Sequence, residues 1–509
     1  MPFATVLTLV IICFCFRLWF YHARVPLDYD IFTNPRKSYE SALEKYGPVI
    51  GVWRKGRLEY IVDDTLTFEV LTNHEAFSFR QGTATILNIS YLMSVFHSFW
   101  FDMDNMVKKG ITSHIDNIVE RIAPVFEDHL NHIQHQKYAL EGFDFFEYIH
   151  VAISEAMLYI IFGKREFSDR FLAATTKVAM NMATAGGFEV WREIQDYSPE
   201  LDLPHPFEVT ILQYLLTEWT DHQSFLWKLK RFLWMIILLI GILASILFAS
   251  IHQTSSVATW IICEISARPD EQMALRAELD DLAPFEASTG RRQITHSALQ
   301  NAARLDSFIR EVLRTKGDTL STIRLTTRDV DIGNATIPQG SLVIPLASLS
   351  HFSTKHHGHN AELFLAQRWC GQDKPAVMGS ASYFPFGLGR WACPGRFLAI
   401  NEIKIIAWSI IGRSTPCLKG NAYQITDPLN ITSVPPKATI ILQPLNRQLQ
   451  GTRADRSAFI KQPREESRLP FGAYRELLFP KSTSQHKDKD TSNHLFSIVT
   501  VQFTKKATH

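Results

Sequence analysis

Phe386-Gly387-Leu388-Gly389-Arg390-Trp391-Ala392-Cys393-Pro394-Gly395, followed by a helical run over 396–411, is the stretch on which the fold reading turns. Gly387 and Gly389 permit positive φ and let the backbone approach a planar ligand where a Cβ would clash. Cys393 stands where this loop enters a helix, so unpaired N–H groups and the helix dipole favour its thiolate. Gly395 keeps that approach open, and Phe386 is placed to cover the sulfur and exclude water. Taken alone, the stretch leaves two alternatives. Cys393 is a metal-binding thiolate, or it is a buried structural cysteine in a glycine-rich turn, the commonest fate of an isolated cysteine.

Upstream, Glu311 and Arg314 stand three apart on a predicted helix over 303–316, so they share a face and can pair. Phe364-Leu365-Ala366-Gln367-Arg368-Trp369 then offers a second arginine, which can join the first pair in a buried network. Each motif separately is common by chance, and an exposed Glu–Arg pair contributes well under ~1 kcal/mol. Farther upstream an apolar run over 232–251 continues through His252, Gln253, Thr254 and Ser255 into 257–265. This predicts one long central helix with a polar notch, the alternative being a second transmembrane span.

In that order and spacing, Glu311-x-x-Arg314, Phe364-x-x-x-Arg368-Trp369 and the Cys393 loop resemble the K-helix, meander and haem-loop signature of cytochromes P450. Ala249-Ser250-Ile251-His252-Gln253-Thr254 falls where that family's oxygen-binding helix carries Ala-Gly-x-Asp/Glu-Thr-Thr. The resemblance covers residues 30–445 and is strong over 249–411. It implies a mainly α fold with small β-sheets, preceded by one N-terminal transmembrane helix. It implies haem b with Cys393 as the axial thiolate ligand and Glu311, Arg314 and Arg368 as a structural network behind it. Phe386, Gly387, Gly389, Arg390, Trp391 and Gly395 would border the cofactor, and His252, Gln253 and Thr254 would line the distal side. Arg324, in a strand-like stretch, matches an arginine that binds a haem propionate, with a surface charge as the alternative.

The implied activity is a monooxygenase that places one atom of dioxygen into a C–H or C=C bond of an apolar small molecule. Histidine at the acid position, and Asn401-Glu402-Ile403-Lys404 after the cysteine, resemble fungal members that oxidise terpenoids and related secondary metabolites. The chain carries no flavin or nicotinamide motif. The resemblance therefore implies electrons from an NADPH-cytochrome P450 reductase on the same membrane.

Three positions depart from the family pattern. Gln253 replaces the threonine that helps deliver protons, and Thr254 points about 100° away around the helix. A glutamine amide can still hydrogen-bond dioxygen or hold a water. Trp391 stands where a basic residue usually meets a propionate, leaving its indole N–H or Arg390 for that task. No Trp-x-x-x-Arg follows Trp100, with Lys108 or Lys109 as substitutes. His252 is either a satisfied core histidine or a member of a proton relay. These departures keep two further readings beside the monooxygenase: a haem-thiolate isomerase or dehydratase that needs no dioxygen, and a non-catalytic haem-binding or degenerate protein.

A chain of 509 residues, 46% hydrophobic, can bury a large core. Lys plus Arg (52) nearly balance Asp plus Glu (51), which argues against a nucleic-acid binder. Six scattered cysteines do not make a disulfide framework or a regularly spaced zinc site. Residues 3–20 are apolar apart from two threonines and Arg17, and His22 and Arg24 follow. This pattern predicts a retained single-pass anchor over 1–24, with the haem domain over 25–445 on the cytosolic side. By the resemblance, the membrane is that of the endoplasmic reticulum. Sequons beginning at Asn88, Asn334 and Asn430 should then stay unmodified. Residues 446–509 are charged and rich in Ser, Thr and Gln, and read as a disordered tail. Elsewhere the pattern predicts strands near 49–52 and 60–62. It also predicts a helix over 106–130 kinked or broken at Pro124, a helix over 145–161 capped by Asp144, and a helix over 270–282 opened by Pro269.

Overall fold

The computed structural model describes residues 31–445 apart from 32, 55–56, 87–89, 96–97, 135, 181–247, 287 and 289–290. The expected anchor over 1–24, most of the apolar run over 232–251, Asn88 and the expected tail lie outside the described residues.

Helix α1 (Pro35–Tyr46) carries its proline at the first turn and leads into strands β1 (Val49–Arg54) and β2 (Arg57–Val62). These are the two predicted strands, and they pair antiparallel with Val49 opposite Val62. Helix α2 (Asp64–Thr72) starts at Asp63, whose carboxylate accepts the N–H groups of Thr65 and Leu66. Strand β3 (Phe77–Ser78) and helices α3 (Phe79–Ile86) and α4 (Phe99–Met106) follow.

The single helix expected over 106–130 is not what forms. A π-turn at Val107–Ile111 and a 3-10 turn at Thr112–His114 separate α4 from helix α5 (Ile115–Gln134), which runs unbroken through Pro124. An interior proline costs a helix ~3 kcal/mol. Ile122, Val125 and Phe126 beside it are fully buried, and such side chains contribute ~1.5–3 kcal/mol each. Packing therefore outweighs the proline.

Helix α6 (Phe145–Phe162) begins as expected, with the Asp144 carboxylate accepting from the N–H of Phe146 at 2.9 Å and of Glu147 at 3.3 Å. It ends at Gly163 in the left-handed conformation, φ 73°. Among the described residues it alone is long and apolar enough to cross a bilayer, and the fold buries it. Helix α7 (Asp169–Met180) follows.

The described part of the central helix is a π-turn at Phe248–His252 leading into helix α8 (Gln253–Ser266). Two of its hydroxyls bond within the helix: Ser255 donates to the Ile251 carbonyl and Thr259 to that of Ser255. Ser256 Oγ and Trp260 Nε1 donate across to the carbonyls of Thr432 and Ile431, both at 2.7 Å. The N–H groups of Thr432 and Ser433 in turn reach the Asp318 carboxylate at 2.7 and 3.1 Å.

Helix α9 (Pro269–Leu282) opens on its proline as expected, with Asp270 and Glu271 in the first turn. Helix α10 (Ala303–Thr315), strand β4 (Arg324–Thr326) and strand β5 (Leu342–Pro345) come next. The main sheet has the order β1-β2-β5-β4-β3, with β2 and β5 parallel and the other pairs antiparallel. Helix α11 (Arg396–Ile411) has the bounds read from sequence. Strands β6 (Ser414–Leu418) and β7 (Ile440–Pro444) close a second antiparallel pair. Helix α11 is buried almost all round and packs on α5 and α8, while α8 packs on α6. The architecture is mainly helical with small sheets, as expected.

Two sequons have internal partners. Asn334 donates its amide to the Tyr46 carbonyl and accepts the Val49 N–H, and Asn430 donates to Asp427.

Candidate active site

The loop ahead of α11 is folded by its own backbone. The Cys393 N–H donates to the Phe386 carbonyl at 2.8 Å and the Gly387 N–H to that of Phe384 at 2.9 Å, while Phe386 packs its ring on the main core. Gly387 and Gly389 both have φ of +73°, which explains the glycines. Their expected approach to a ligand divides. A Cβ on Gly389 would stand 3.2 Å from the Leu71 carbonyl oxygen, so its close approach is to the end of α2. A Cβ on Gly395 would meet nothing nearer than the Cys393 sulfur at 4.0 Å, so Gly395 does keep the sulfur side open.

Cys393 retains accessible surface although protein atoms crowd it, the mark of a side chain facing an interior recess. Burial pushes its thiol pKa up, while the Gly395 and Arg396 N–H groups and the Arg396 guanidinium pull it down. Burial wins, so the helix start alone does not produce the expected thiolate. A metal cation in contact with the sulfur does.

Glu311, Arg314 and Arg368 come together. Arg314 donates to Glu311 through Nε at 2.9 Å and Nη2 at 2.7 Å, and Arg368 Nε reaches the same carboxylate at 3.0 Å. Glu311 and Arg314 have no exposure. Burial works to raise the Glu311 pKa. The Arg314 hydrogen bonds and charge, the Leu365 N–H and the Arg368 charge outweigh it and hold the carboxyl below its usual range. The sequence did not assign the remaining donor: Trp369 Nε1 gives a hydrogen bond to Glu311 at 3.0 Å. Its adjacency to Arg368 was the available signal. Arg310 was missed altogether. It is buried, lies over the Tyr383 ring at 3.7 Å, and donates to the carbonyls of Pro375 and Met378.

His252, Gln253 and Thr254 do not share a face. Gln253 is exposed, as is Ala249 one turn earlier, whereas Thr254 is 5% exposed. His252 turns towards α6, with its ring 5.7 Å from Phe146 and 5.6 Å from His150. Burial holds the pKa of His252 below its ordinary value and that of His150 down to about 3, so both rings are neutral at pH 7.

A family model described as cytochrome P450 matches residues 18–203 and 239–440. The chain belongs to the cytochrome P450 family. Cytochrome P450 monooxygenase 151 of Postia placenta is 32% identical over 181 residues, covering 34% of this chain and 35% of that one. Cytochrome P450 monooxygenase ptmQ of Penicillium ochrochloron is 33% identical over 168 residues, covering 31% and 32%. The mitochondrial 25-hydroxyvitamin D-1 alpha hydroxylase of Rattus norvegicus is 30% identical over 252 residues, covering 49% and 45%. These matches span between about a third and a half of the curated relatives. A solved zebrafish cytochrome P450 with abiraterone shares the fold at 16% identity and a TM-score of 0.60, over 81% of this chain and 99% of that one.

The cofactor of a cytochrome P450 is haem on a cysteine thiolate, and this chain's residues fit it. Haem presents two carboxylates, which need buried donors. Arg324 has no exposure and, among the described residues, no acidic partner and no acceptor for its Nε: it donates to Thr322 Oγ1 at 3.1 Å and to the carbonyls of Ile323 and Leu71. Burial without a counter-charge draws its pKa down to about 10. Trp100 Nε1 is a second buried donor without an acceptor among the described residues. Both side chains meet the Phe79 ring, Arg324 Cζ at 5.2 Å and Trp100 at 5.8 Å between centroids. An isolated buried guanidinium calls for an anion, so the surface-charge alternative for Arg324 falls. Arg390 is otherwise engaged, in an ion pair with Asp104 at 2.7 Å, and Trp391 stacks on Phe79 at 5.7 Å. Lys108 also goes to Asp104, at 2.9 Å.

Proposed function

We propose that this cytochrome P450 is a haem-thiolate monooxygenase with Cys393 as the axial ligand, acting on an apolar small molecule of terpenoid-like character. The observation that carries the reading is the Cys393 sulfur, accessible in an otherwise crowded place beside a glycine, at the head of a buried helix. Bound haem supplies dioxygen activation at iron, and the overall reaction consumes two electrons and two protons to give one oxidised product and one water. The chain's own residues hold, orient and shield. Glu311, Arg314 and Arg368 fix the segment behind the Cys393 loop, and Arg324 and Trp100 receive the carboxylates. The accessible carboxamide of Gln253 is the polar group on α8 suited to holding a water where the family uses threonine.

Electrons come from an NADPH-cytochrome P450 reductase, with the chain anchored by residues 1–24 in the endoplasmic reticulum membrane. The apolar anchor pattern and the absence of a flavin or nicotinamide motif support this. The terpenoid-like substrate class rests on the resemblance of 401–404 to fungal enzymes, and the Postia and Penicillium relatives agree with a fungal setting.

The reduced carbon-monoxide complex should show the strongly red-shifted Soret band of a thiolate ligand, lost in Cys393→Ala. A Cys393→Ala variant that keeps the band sinks the assignment. Product formation from polycyclic terpenoids that requires both reductase and dioxygen then selects the monooxygenase. Turnover without either selects the isomerase or dehydratase reading, which the replacement of threonine by Gln253 favours.

A further inference from the structure

One helical turn after Trp100 stands Asp104, where the family's Trp-x-x-x-Arg pattern carries a cation. Asp104 is 5% exposed and receives both Arg390 Nη1 at 2.7 Å and Lys108 Nζ at 2.9 Å. Three nitrogen donors, Arg324, Trp100 and Arg390, gather around the Phe79 ring and the Trp391 ring stacked on it, where Arg80 also lies, 6.0 Å from Trp391. Arg324 and Trp100 touch it directly, and Arg390 adjoins Trp391, which stacks on it and lies 4.9 Å beneath the Arg390 guanidinium. Two of the three keep a buried N–H with no acceptor among the described residues. The third, Arg390, is committed to a carboxylate of the chain itself.

We propose that Asp104 is a positioning residue for the haem: it holds Arg390 away from the propionates and leaves Arg324 and Trp100 to bind them. The proposal rests on the haem-thiolate reading above. Its electrostatic consequence is a sign. A carboxylate at the cofactor's edge, with a guanidinium withheld, opposes the arrival of an electron, because Asp104 itself is buried and weakly screened although Arg390 and Lys108 reach solvent. The Asp104 side chain therefore lowers the reduction potential, and Arg390 contributes to that potential only by neutralising Asp104.

The test uses full-length holoprotein, with midpoint potentials from spectroelectrochemistry and haem loss followed by transfer to excess apomyoglobin. Asp104→Asn removes the anion and frees Arg390 for a propionate. The potential should rise and haem loss should slow by about tenfold, the factor that one charge-assisted hydrogen bond of ~1.4 kcal/mol gives. Arg390→Gln leaves Asp104 with Lys108 alone, so the potential should fall with haem loss unchanged. The Asp104→Asn/Arg390→Gln double variant should lose the gain in retention. A clamp that merely joins the Cys393 loop to α4 predicts faster haem loss in both single variants, which overturns the proposal. An Asp104→Asn potential that is unchanged or lower also overturns it. If Asp104→Asn does not fold, Arg390→Gln decides: faster haem loss refutes, a lower potential with retention intact supports. The wild-type Soret band, read first, tests the haem-thiolate reading separately.

Discussion

Arg368→Ala measures how buried the Glu311 network is in practice. The Arg368 side chain is 8% exposed. It donates to Glu311 at 3.0 Å, to the His357 carbonyl at 3.1 Å, to Asn360 Oδ1 and its carbonyl at 2.8 Å each, and to the Leu363 carbonyl at 3.0 Å. Stranding a buried charge costs ~3–5 kcal/mol, but Glu311 keeps Arg314, Leu365 and Trp369 and is not stranded. What is lost is one bond to the carboxylate, ~1.5–3 kcal/mol, together with the guanidinium's four bonds to the His357, Asn360 and Leu363 oxygens. We expect destabilisation of about 3 kcal/mol, against less than ~1 kcal/mol for an exposed pair. Urea titration followed by far-UV circular dichroism and the Soret band gives the difference from the shift in midpoint at constant slope. A loss below ~1 kcal/mol would refute the buried-network reasoning. Trp369→Phe, which removes the indole donor and shrinks a buried ring, should cost at least about 1.5 kcal/mol on the same scale.

His150, His351 and His357 are held by burial at pKa values of about 3, 3 and 4, against an ordinary 6.5. The unfolded chain takes up these protons first. Stability is therefore full above pH 6.5 and falls as pH drops towards 4, by up to ~1.4 kcal/mol per ring per pH unit. Urea midpoints at pH 7.5 and 5.5 check this, and a midpoint that rises on acidification contradicts it. Arg324→Gln should have opposite effects on two readouts. It relieves an uncompensated buried cation, so the haem-free protein becomes more stable, yet haem is lost at least tenfold faster, as for one charged bond of ~1.4 kcal/mol. Faster loss without apo stabilisation would show that the guanidinium already has its anion. Gln253→Thr should raise the share of NADPH electrons recovered in product if water at position 253 limits proton delivery. An unchanged share would show that this position is bypassed. Pro124→Ala should stabilise α5 by up to ~3 kcal/mol in thermal unfolding, since it restores an N–H and relieves the ring clash. Destabilisation would mean that the ring's packing matters more.

What was legible in the sequence was local. The bounds of α11, the Asp144 cap and the Pro269 start each depend on residues within a turn or two, and all formed as read. Glu311, Arg314 and Arg368 were found because a helix face and a short downstream motif carry them. Failures arose where distant partners decide. Pro124 reads as a kink or break, yet burial of its neighbours keeps the helix continuous through it despite the missing N–H. Asp104 and Arg390 lie 286 positions apart, and no local pattern announces their pairing. His252, Gln253 and Thr254 are grouped by their match to the family's oxygen-binding helix, and which neighbour each side chain meets depends on packing, since 100° steps around a helix send consecutive side chains to different faces. Arg310 sits one position before Glu311 but on another face, which only the packed Tyr383 ring reveals.

The tethers from Ser256 and Trp260 to Thr432 and Ile431 bear on the order in which the chain can assemble during synthesis. The Cys393 loop, α10 and α11 all leave the ribosome before the segment that secures α8. Strand β7 then adds the exchange of hydrogen bonds between Ile440 and Phe143, which joins nearly the last described residues to the start of α6. Domains emerge at ~5–20 residues per second, so a nascent chain spends seconds with its cysteine loop complete and its central helix untied. A chain released before residue 430 would keep Glu311, Arg314, Arg324, Arg368 and Cys393 and still lack the acceptors that hold α8 in place.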